Sequence, residues 1–280
     1  MDIEKEKIEK LWNKEAYYQL IENAQGKGEE SKFFINIIAD IINKHNPTSI
    51  LDVGCGEGGV ISDLAQRTSG TRNFSGVDVA AIGIKRSKKK GVTNATFELY
   101  DGLTIPFSDG KFELAFSTFV FEHLTKPERV FAEMGRVTKQ GGYILIACPN
   151  YGSPFFRSPC NKENKTVLLL KRLVKSFMPK FFFTESFCWE KVTPIILDKE
   201  DHIIDYDTTI EPNLVFFMKH IKTNPIYEIV EANSFWGNFT YGGVSRAKKI
   251  FLETMSFLGK HNFPFIKYYG PFFFILLKKV

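Results

Sequence analysis

The stretch Ile50-Leu51-Asp52-Val53-Gly54-Cys55-Gly56-Glu57-Gly58-Gly59 sets a carboxylate two residues ahead of a glycine-rich turn. Glycines accept positive φ and let a ligand lie against bare backbone. A helix opening behind such a turn presents unpaired N–H groups and the positive end of its dipole. Asp78 closes the next apolar run, where a single carboxylate can accept both hydroxyls of a ribose. Gly54, Gly56 and Gly59 also satisfy the dinucleotide pattern G-x-G-x-x-G, so two kinds of ligand compete for this loop. Asp52 decides between them: a carboxylate at that strand end repels a pyrophosphate and attracts an ammonium. A third acid, Asp101, follows the third apolar run, and Glu122-His123 follows the fourth.

These residues need a scaffold that brings successive strand ends together. Apolar strands are predicted at 49–53, 74–79, 96–100, 112–117 and 143–148, with helices at 60–66, 82–90 and 127–137 between them. Such alternation implies βαβ units and a parallel sheet. Amphipathic helices are expected at 3–24 and 33–42, ahead of the first strand. Beyond residue 211 a helix at 212–221, a strand at 227–230, a helix at 244–259 and an apolar strand at 271–278 complete the chain, the last as an antiparallel edge. The expected class is α/β: a Rossmann-like, seven-stranded, mostly parallel sheet with helices on both faces and an inserted aromatic-rich lobe. Four segments follow: N-terminal helices (1–48), a ligand-binding core (49–150), an inserted lobe or lid (151–211), and C-terminal helices and strands completing the sheet (212–280).

The chain has 280 residues, 44% of them hydrophobic and 25% charged, the balance of a folded domain rather than a disordered one. A net charge of +5 suits an anionic ligand without demanding nucleic acid. Cys55, Cys148, Cys160 and Cys188 form no C-x-x-C pair and no zinc spacing, so they read as reduced thiols. Residues 1–10 alternate acids and lysines, unlike a signal peptide, and no apolar run reaches the roughly 20 residues of a membrane span. A cytoplasmic protein is expected.

The motifs resemble those of class I S-adenosylmethionine-dependent methyltransferases, close to the small-molecule branch of ubiquinone, menaquinone and sugar O-methyltransferases. The glycine stretch is similar to the first motif. Asp101-Gly102-Leu103-Thr104-Ile105-Pro106-Phe107 resembles the third-strand motif, Phe112-Glu113-Leu114-Ala115-Phe116-Ser117 the fourth, and Arg136-Val137-Thr138-Lys139-Gln140-Gly141-Gly142 the turn before the fifth strand. Tyr100, Glu113 and Gln140 depart from the usual Gly, Asp and Pro. The resemblance implies S-adenosyl-L-methionine as cofactor. Gly54, Cys55, Gly56 and Gly58 would lie against its methionine and ribose, and Asp52 would bind the ammonium. Asp78, with Val79 beside it, would take the ribose diol. Asp101 and the N–H of Gly102 would meet the adenine, and Ser117 would face the methionine end. It also implies a base near His123, because in similar sugar O-methyltransferases a His at this point takes the acceptor's proton. Glu122 would orient His123 or bind substrate.

No second carboxylate pair stands beside Glu122-His123 at ligand spacing in the sequence, so no metal is expected. If His123 is not the base, the lobe offers His202, Asp205 and Asp207. The fourth strand ends Ser117-Thr118-Phe119-Val120, without the N/D-P-P-Y/F signature of amino-methylating nucleic-acid enzymes, and no nucleic-acid partner is expected. The lobe is rich in Phe, Lys and Pro; residues 167–177 form a basic amphipathic helix, followed by Phe181-Phe182-Phe183. That composition suits a lid, or peripheral contact of residues 160–190 with the inner face of a membrane. The acceptor expected is a small molecule or glycolipid, a saccharide hydroxyl first and a quinone-like aromatic second. An NAD(P) oxidoreductase and a non-catalytic cofactor-binding protein are the alternatives from other classes.

Overall fold

The computed structural model describes residues 10–18, 29–177, 187, 189–195, 205–236, 246–261, 263 and 266–280. Helix α1 (Glu29–His45) leads into β1 (Ser49–Val53), α2 (Gly59–Arg67), β2 (Asn73–Asp78), α3 (Ala81–Lys89), β3 (Ala95–Leu99) and β4 (Phe112–Thr118). A 3-10 turn, Phe121–His123, precedes α4 (Pro127–Val137) and β5 (Thr138–Pro149). The lobe contributes α5 (Lys165–Phe177), β6 (Glu190–Lys191) and β7 (Ile210–Glu211). Then come α6 (Leu214–Thr223), β8 (Tyr227–Phe235), α7 (Arg246–Lys260) and β9 (Phe272–Lys279).

Seven strands form one sheet in the order β3-β2-β1-β4-β5-β9-β8. Only β9 runs against its neighbours. The expected antiparallel edge is thus corrected: the C-terminal strand lies inside the sheet, and β8 forms the edge. The reason is apolar alternation. Phe273, Ile275 and Leu277 join the core on one face, and Phe274 and Leu276 join the core on the other. A strand buried on both faces belongs between partners, whereas β8 (Tyr-Glu-Ile-Val-Glu-Ala-Asn-Ser-Phe) is largely accessible.

The strand pleat sends alternate side chains to two layers. Leu51 and Val53 of β1, with Ile144 and Ile146 of β5, pack against Val130, Phe131 and Met134 of α4 and Leu214 and Phe217 of α6. Ile50, Leu145 and Ala147 pack against Phe34, Ile38 and Ile42 of α1 and Ile61 and Leu64 of α2. Truncating any of the fully buried phenylalanines would cost about 3–5 kcal/mol. The order reverses between β1 and β4, which opens a crevice at the carboxyl ends of the strands.

The N-terminal segment was expected as one helix over 3–24. Its described part, residues 10–18, is helical at 10–12 and 15–18 with a turn between. The turn serves both halves: Trp12 bonds to Asp207 of the lobe, while the guanidinium of Arg86 in α3 lies over the Tyr18 ring. Residues 3–9 and 19–24 lie outside the described residues.

Candidate cofactor and acceptor site

Gly54 and Gly56 need their missing side chains for different reasons. At Gly54, φ is 84° and a Cβ would sit 2.2 Å from Val120, so the loop after β4 can close on the glycine turn. At Gly56, φ is 50° and nothing lies within 4 Å of where a Cβ would be, leaving backbone open to a ligand. Gly58 begins α2 in the left-handed conformation, and the N–H of Gly56 donates to Oδ2 of Asp78 over 2.8 Å. Asp78 also accepts from the N–H of Ala80 at Oδ1. Burial raises the Asp78 carboxyl, and the N–H groups of Ala80, Gly56 and Val79 partly offset it. The pattern links the ends of β1 and β2 and leaves each Asp78 oxygen a second lone pair.

Asp52 carries the test of cofactor fit. It is 1% exposed, and neither carboxylate oxygen has a hydrogen-bond partner. Burial, with the charge of Asp78 added, pushes its carboxyl well above the usual range. A buried, unpaired carboxylate beside an open glycine turn calls for a cationic group, and the ammonium of S-adenosylmethionine is one. The residues therefore fit this cofactor.

Two expected contacts differ in detail. Ser117 is fully buried, and its hydroxyl donates to the carbonyl of Val53 over 2.8 Å, tying β4 to the end of β1 instead of facing a ligand. The Cys55 sulfur sits where a Gly76 side chain would be, packing the loop on β2, and burial raises its thiol. Asp101 is exposed, and its Oδ1 accepts from the N–H groups of Leu103 and Thr104, shaping the turn in which Gly102 has φ 75°.

The second half of the site lies just past β4. The 3-10 turn aligns Glu122 and His123, and the lobe docks on it: Thr209 donates its N–H to the carbonyl of Glu122 and its hydroxyl to that of Leu124. This docking carries Asp205 and Asp207 against His123. His123 Nδ1 lies 3.4 Å from Asp207 Oδ1, and its Nε2 lies 3.8 Å from Glu122 Oε1. Glu122 is wholly buried with both oxygens unpartnered. Burial alone would lower His123, but Asp207, Glu122 and Asp205 outweigh it and lift the imidazole to about 9. Burial lifts Glu122 to about 8 against the pull of His123. Asp207, Glu122 and Asp205 thus surround this ring and favour its charged form.

Sequence reasoning missed the aromatic wall. Trp12 donates its Nε1–H to Asp207 Oδ2 over 2.8 Å and meets His123 edge-on. Tyr17 is half-buried, and desolvation together with the charges of Asp207, Asp78 and Asp205 suppresses its acidity. Tyr151 donates its hydroxyl to Asp205 Oδ2. These aromatics give no signal in one dimension, since Trp12, Tyr17 and Tyr151 lie far from Asp205 and Asp207 along the chain. His202 lies outside the described residues, as do Cys188 and Phe181–Phe183.

The lobe is braced by charge. Arg172 of α5, 2% exposed, pairs with Glu211 and Glu190 and donates to the carbonyls of Tyr151, Ser153 and Phe156. Leu168 packs inward, whereas Val167, Leu170 and Val174 are 59%, 58% and 49% exposed. Among the described residues no helix is long and apolar enough to cross a membrane.

Residues 51–146 match the family model described as a methyltransferase domain. Ajmaline N-methyltransferase of Rauvolfia serpentina is 31% identical over 105 residues, 36% of this chain and 35% of that protein. Chloroplastic tocopherol O-methyltransferase of Arabidopsis thaliana is 30% identical over 139 residues, 48% of this chain and 37% of that protein. The chain thus spans little more than a third of the length of these curated relatives. A solved S-adenosylmethionine-dependent methyltransferase from Mesorhizobium loti superposes with a TM-score of 0.51 at 14% identity, covering 82% of this chain and 90% of that one. That likeness shows the fold. The match over residues 51–146, the sheet order and the glycine loop agree on a methyltransferase-type domain with the fold of S-adenosylmethionine-dependent methyltransferases. Its cofactor is S-adenosyl-L-methionine.

Proposed function

We propose that the protein transfers the methyl group of S-adenosylmethionine to a hydroxyl of a small molecule, a saccharide or lipid-linked saccharide by preference. The bound cofactor supplies an activated methyl on a sulfonium. The chain's own residues do the rest. Asp52 holds the ammonium end, the Gly54–Gly58 loop lies along the methionine and ribose, Asp78 accepts from the ribose hydroxyls, and Asp101 with Gly102 meets the adenine. This leaves the acceptor at the far end of the crevice, between the turn after β4 and the lobe.

The observation that carries the hydroxyl reading is the array of Glu122, His123, Asp205 and Asp207 under an aromatic wall. Carboxylates accept hydrogen bonds from several hydroxyls of one acceptor at once, and rings such as Trp12 cover the apolar faces of a sugar. His123 and Glu122 stand closest to the end of β4, where the acceptor's proton has a route into the array.

Two supports favour peripheral contact of α5 with lipid: the exposed stripe Val167, Leu170 and Val174, and the lysines flanking it. That contact would suit a lipid-linked acceptor.

The experiment is transfer of labelled methyl from S-adenosylmethionine to panels of saccharides, phenols and amines. Incorporation into a saccharide hydroxyl is expected. Incorporation into amines or phenols alone overturns the preference for a saccharide. Absence of S-adenosylhomocysteine binding by calorimetry overturns the whole reading.

A further inference from the structure

We infer that the acceptor end of the crevice is a divalent-cation site, with Glu122, Asp205 and His123 as ligands and Asp207 as the residue that orients His123. The inference rests on the reading that the acceptor meets the methyl group at this cluster.

One carboxylate oxygen from Glu122, one from Asp205 and one ring nitrogen of His123 all lie within 4.8 Å of each other. Ligand atoms at about 2.1 Å from a shared ion stand roughly 3–4 Å apart, so small side-chain adjustments bring the three into range. Glu122 supplies the independent sign of a missing partner. It is fully buried, directed at His123, and neither oxygen has a hydrogen-bond partner. A buried carboxylate in that condition is costly unless a cation joins it.

The surroundings have the organisation of a metal site. Ligating histidines usually hand their second ring nitrogen to a carboxylate, which sets the tautomer and aims the first nitrogen. Here His123 Nδ1 lies 3.4 Å from Asp207 Oδ1, an ion-pair contact that a small ring rotation would turn into a hydrogen bond, and Asp207 is itself fixed through Oδ2 by Trp12. The other nitrogen, Nε2, is the one turned toward Glu122. Asp205 is likewise held at Oδ2 by the Tyr151 hydroxyl. Cys160 is close by but directs its sulfur to the carbonyls of Asp205 and Tyr206, so the donor set is two carboxylates and one imidazole without thiolate. Oxygen-rich donors with a single imidazole fit Mn²⁺ or Mg²⁺ better than a thiophilic ion. Three protein ligands leave coordination positions open, which suits an acceptor presenting two neighbouring oxygens. With the cation in place His123 is a ligand, and proton acceptance falls to a carboxylate of the array.

The test is titration of purified, untagged, full-length protein with Mn²⁺ alone, followed by loss of the free-ion electron paramagnetic resonance signal. One ion per chain is expected for the wild type. Glu122→Gln and Asp205→Asn should each abolish that binding, and Asp207→Asn should weaken it by roughly 10–100-fold, the usual effect of removing a partner of a ligating histidine. Tyr151→Phe, which leaves every ligand in place, gives a second, milder variant expected to weaken binding in the same direction. Melting curves without metal establish that each variant is folded. Mn²⁺ that stays free at millimolar concentration, or that binds Asp205→Asn as tightly as the wild type, overturns the inference. Calorimetry with S-adenosylhomocysteine on the same samples separates the two claims. Cofactor binding without Mn²⁺ binding overturns this inference alone. Mn²⁺ bound through these residues in a protein with no methyl transfer upholds it and overturns the reading of the acceptor.

Discussion

The indole N–H of Trp12 donates to the carboxylate of Asp207 over 2.8 Å, joining residues 195 positions apart. Asp207 in turn faces His123. The N-terminal segment, the lobe and the turn after β4 therefore meet at one carboxylate. Trp12→Phe keeps most of the ring and removes the donor. A hydrogen bond to a charged acceptor contributes about 1.5–3 kcal/mol, so the variant should melt at a lower temperature. Its KM for the acceptor should rise while affinity for S-adenosylhomocysteine stays near the wild-type value. Equal loss at both sites would show that the segment closes the whole crevice and not its acceptor end.

Binding of the cofactor should release a proton. The Asp52 carboxyl is raised by burial and by Asp78, which favours its protonated form in the free protein. The ammonium binds the ionised form and draws the equilibrium that way. Affinity should therefore rise with pH and fall on acidification, and the calorimetric enthalpy should depend on the buffer's ionisation enthalpy. Asp52→Asn should bind more weakly and lose the buffer dependence. A wild-type enthalpy identical in all buffers would refute this account.

Asp78→Ala removes the acceptor for two ribose hydroxyls and also unties Gly56 and Ala80. Charge-assisted bonds of this type are worth about 1.5–3 kcal/mol each. Cofactor affinity should drop by two orders of magnitude or more, as read by calorimetry. Retained affinity would move the ribose elsewhere.

Arg172 is the brace of the lobe. Replacing it by Met leaves Glu211 buried with only the Ser158 N–H and the Asn161 amide as partners. Breaking a buried pair from one side costs about 3–5 kcal/mol. Urea unfolding should show a correspondingly lower midpoint, and acceptor methylation should fall with it. A midpoint unchanged from wild type would mean that α5 is not held through Arg172.

Glu190 ties α5 to β6 and should make this docking acid-sensitive. Burial alone would raise its carboxyl, but Lys175 and Arg172 hold it at about 2, below its ordinary 4.5. A depressed carboxyl contributes stability that is complete above the ordinary value and is lost as pH falls toward the depressed one. Glu190→Gln should therefore melt below wild type at neutral pH, with the gap closing as pH falls from 4.5 toward 2. A gap independent of pH would rule out this ion pair as its cause.

The strand–helix rhythm, the glycine turn and the three strand-end acids were legible from residue order alone, because each is a local pattern: alternation at period two or 3.6, or a turn requiring positive φ. Asp52, Gly54, Gly56 and Asp78 fall within the span of one βαβ unit, where sequence distance and space are nearly equivalent. The place of β9 was not legible at the same level. An apolar strand at a chain end reads the same at an edge or inside a sheet until its two faces find partners. The acceptor end depended on tertiary structure even more. His123 stands alone in the sequence, with Glu122 its only neighbouring acid. Thr209, by bonding the turn after β4, folds Asp205 and Asp207 over it, and Trp12 arrives from the opposite end of the chain. Whether an imidazole is an ordinary base or the centre of a carboxylate cluster depends on charges a few ångströms away, and long-range packing decides which charges those are.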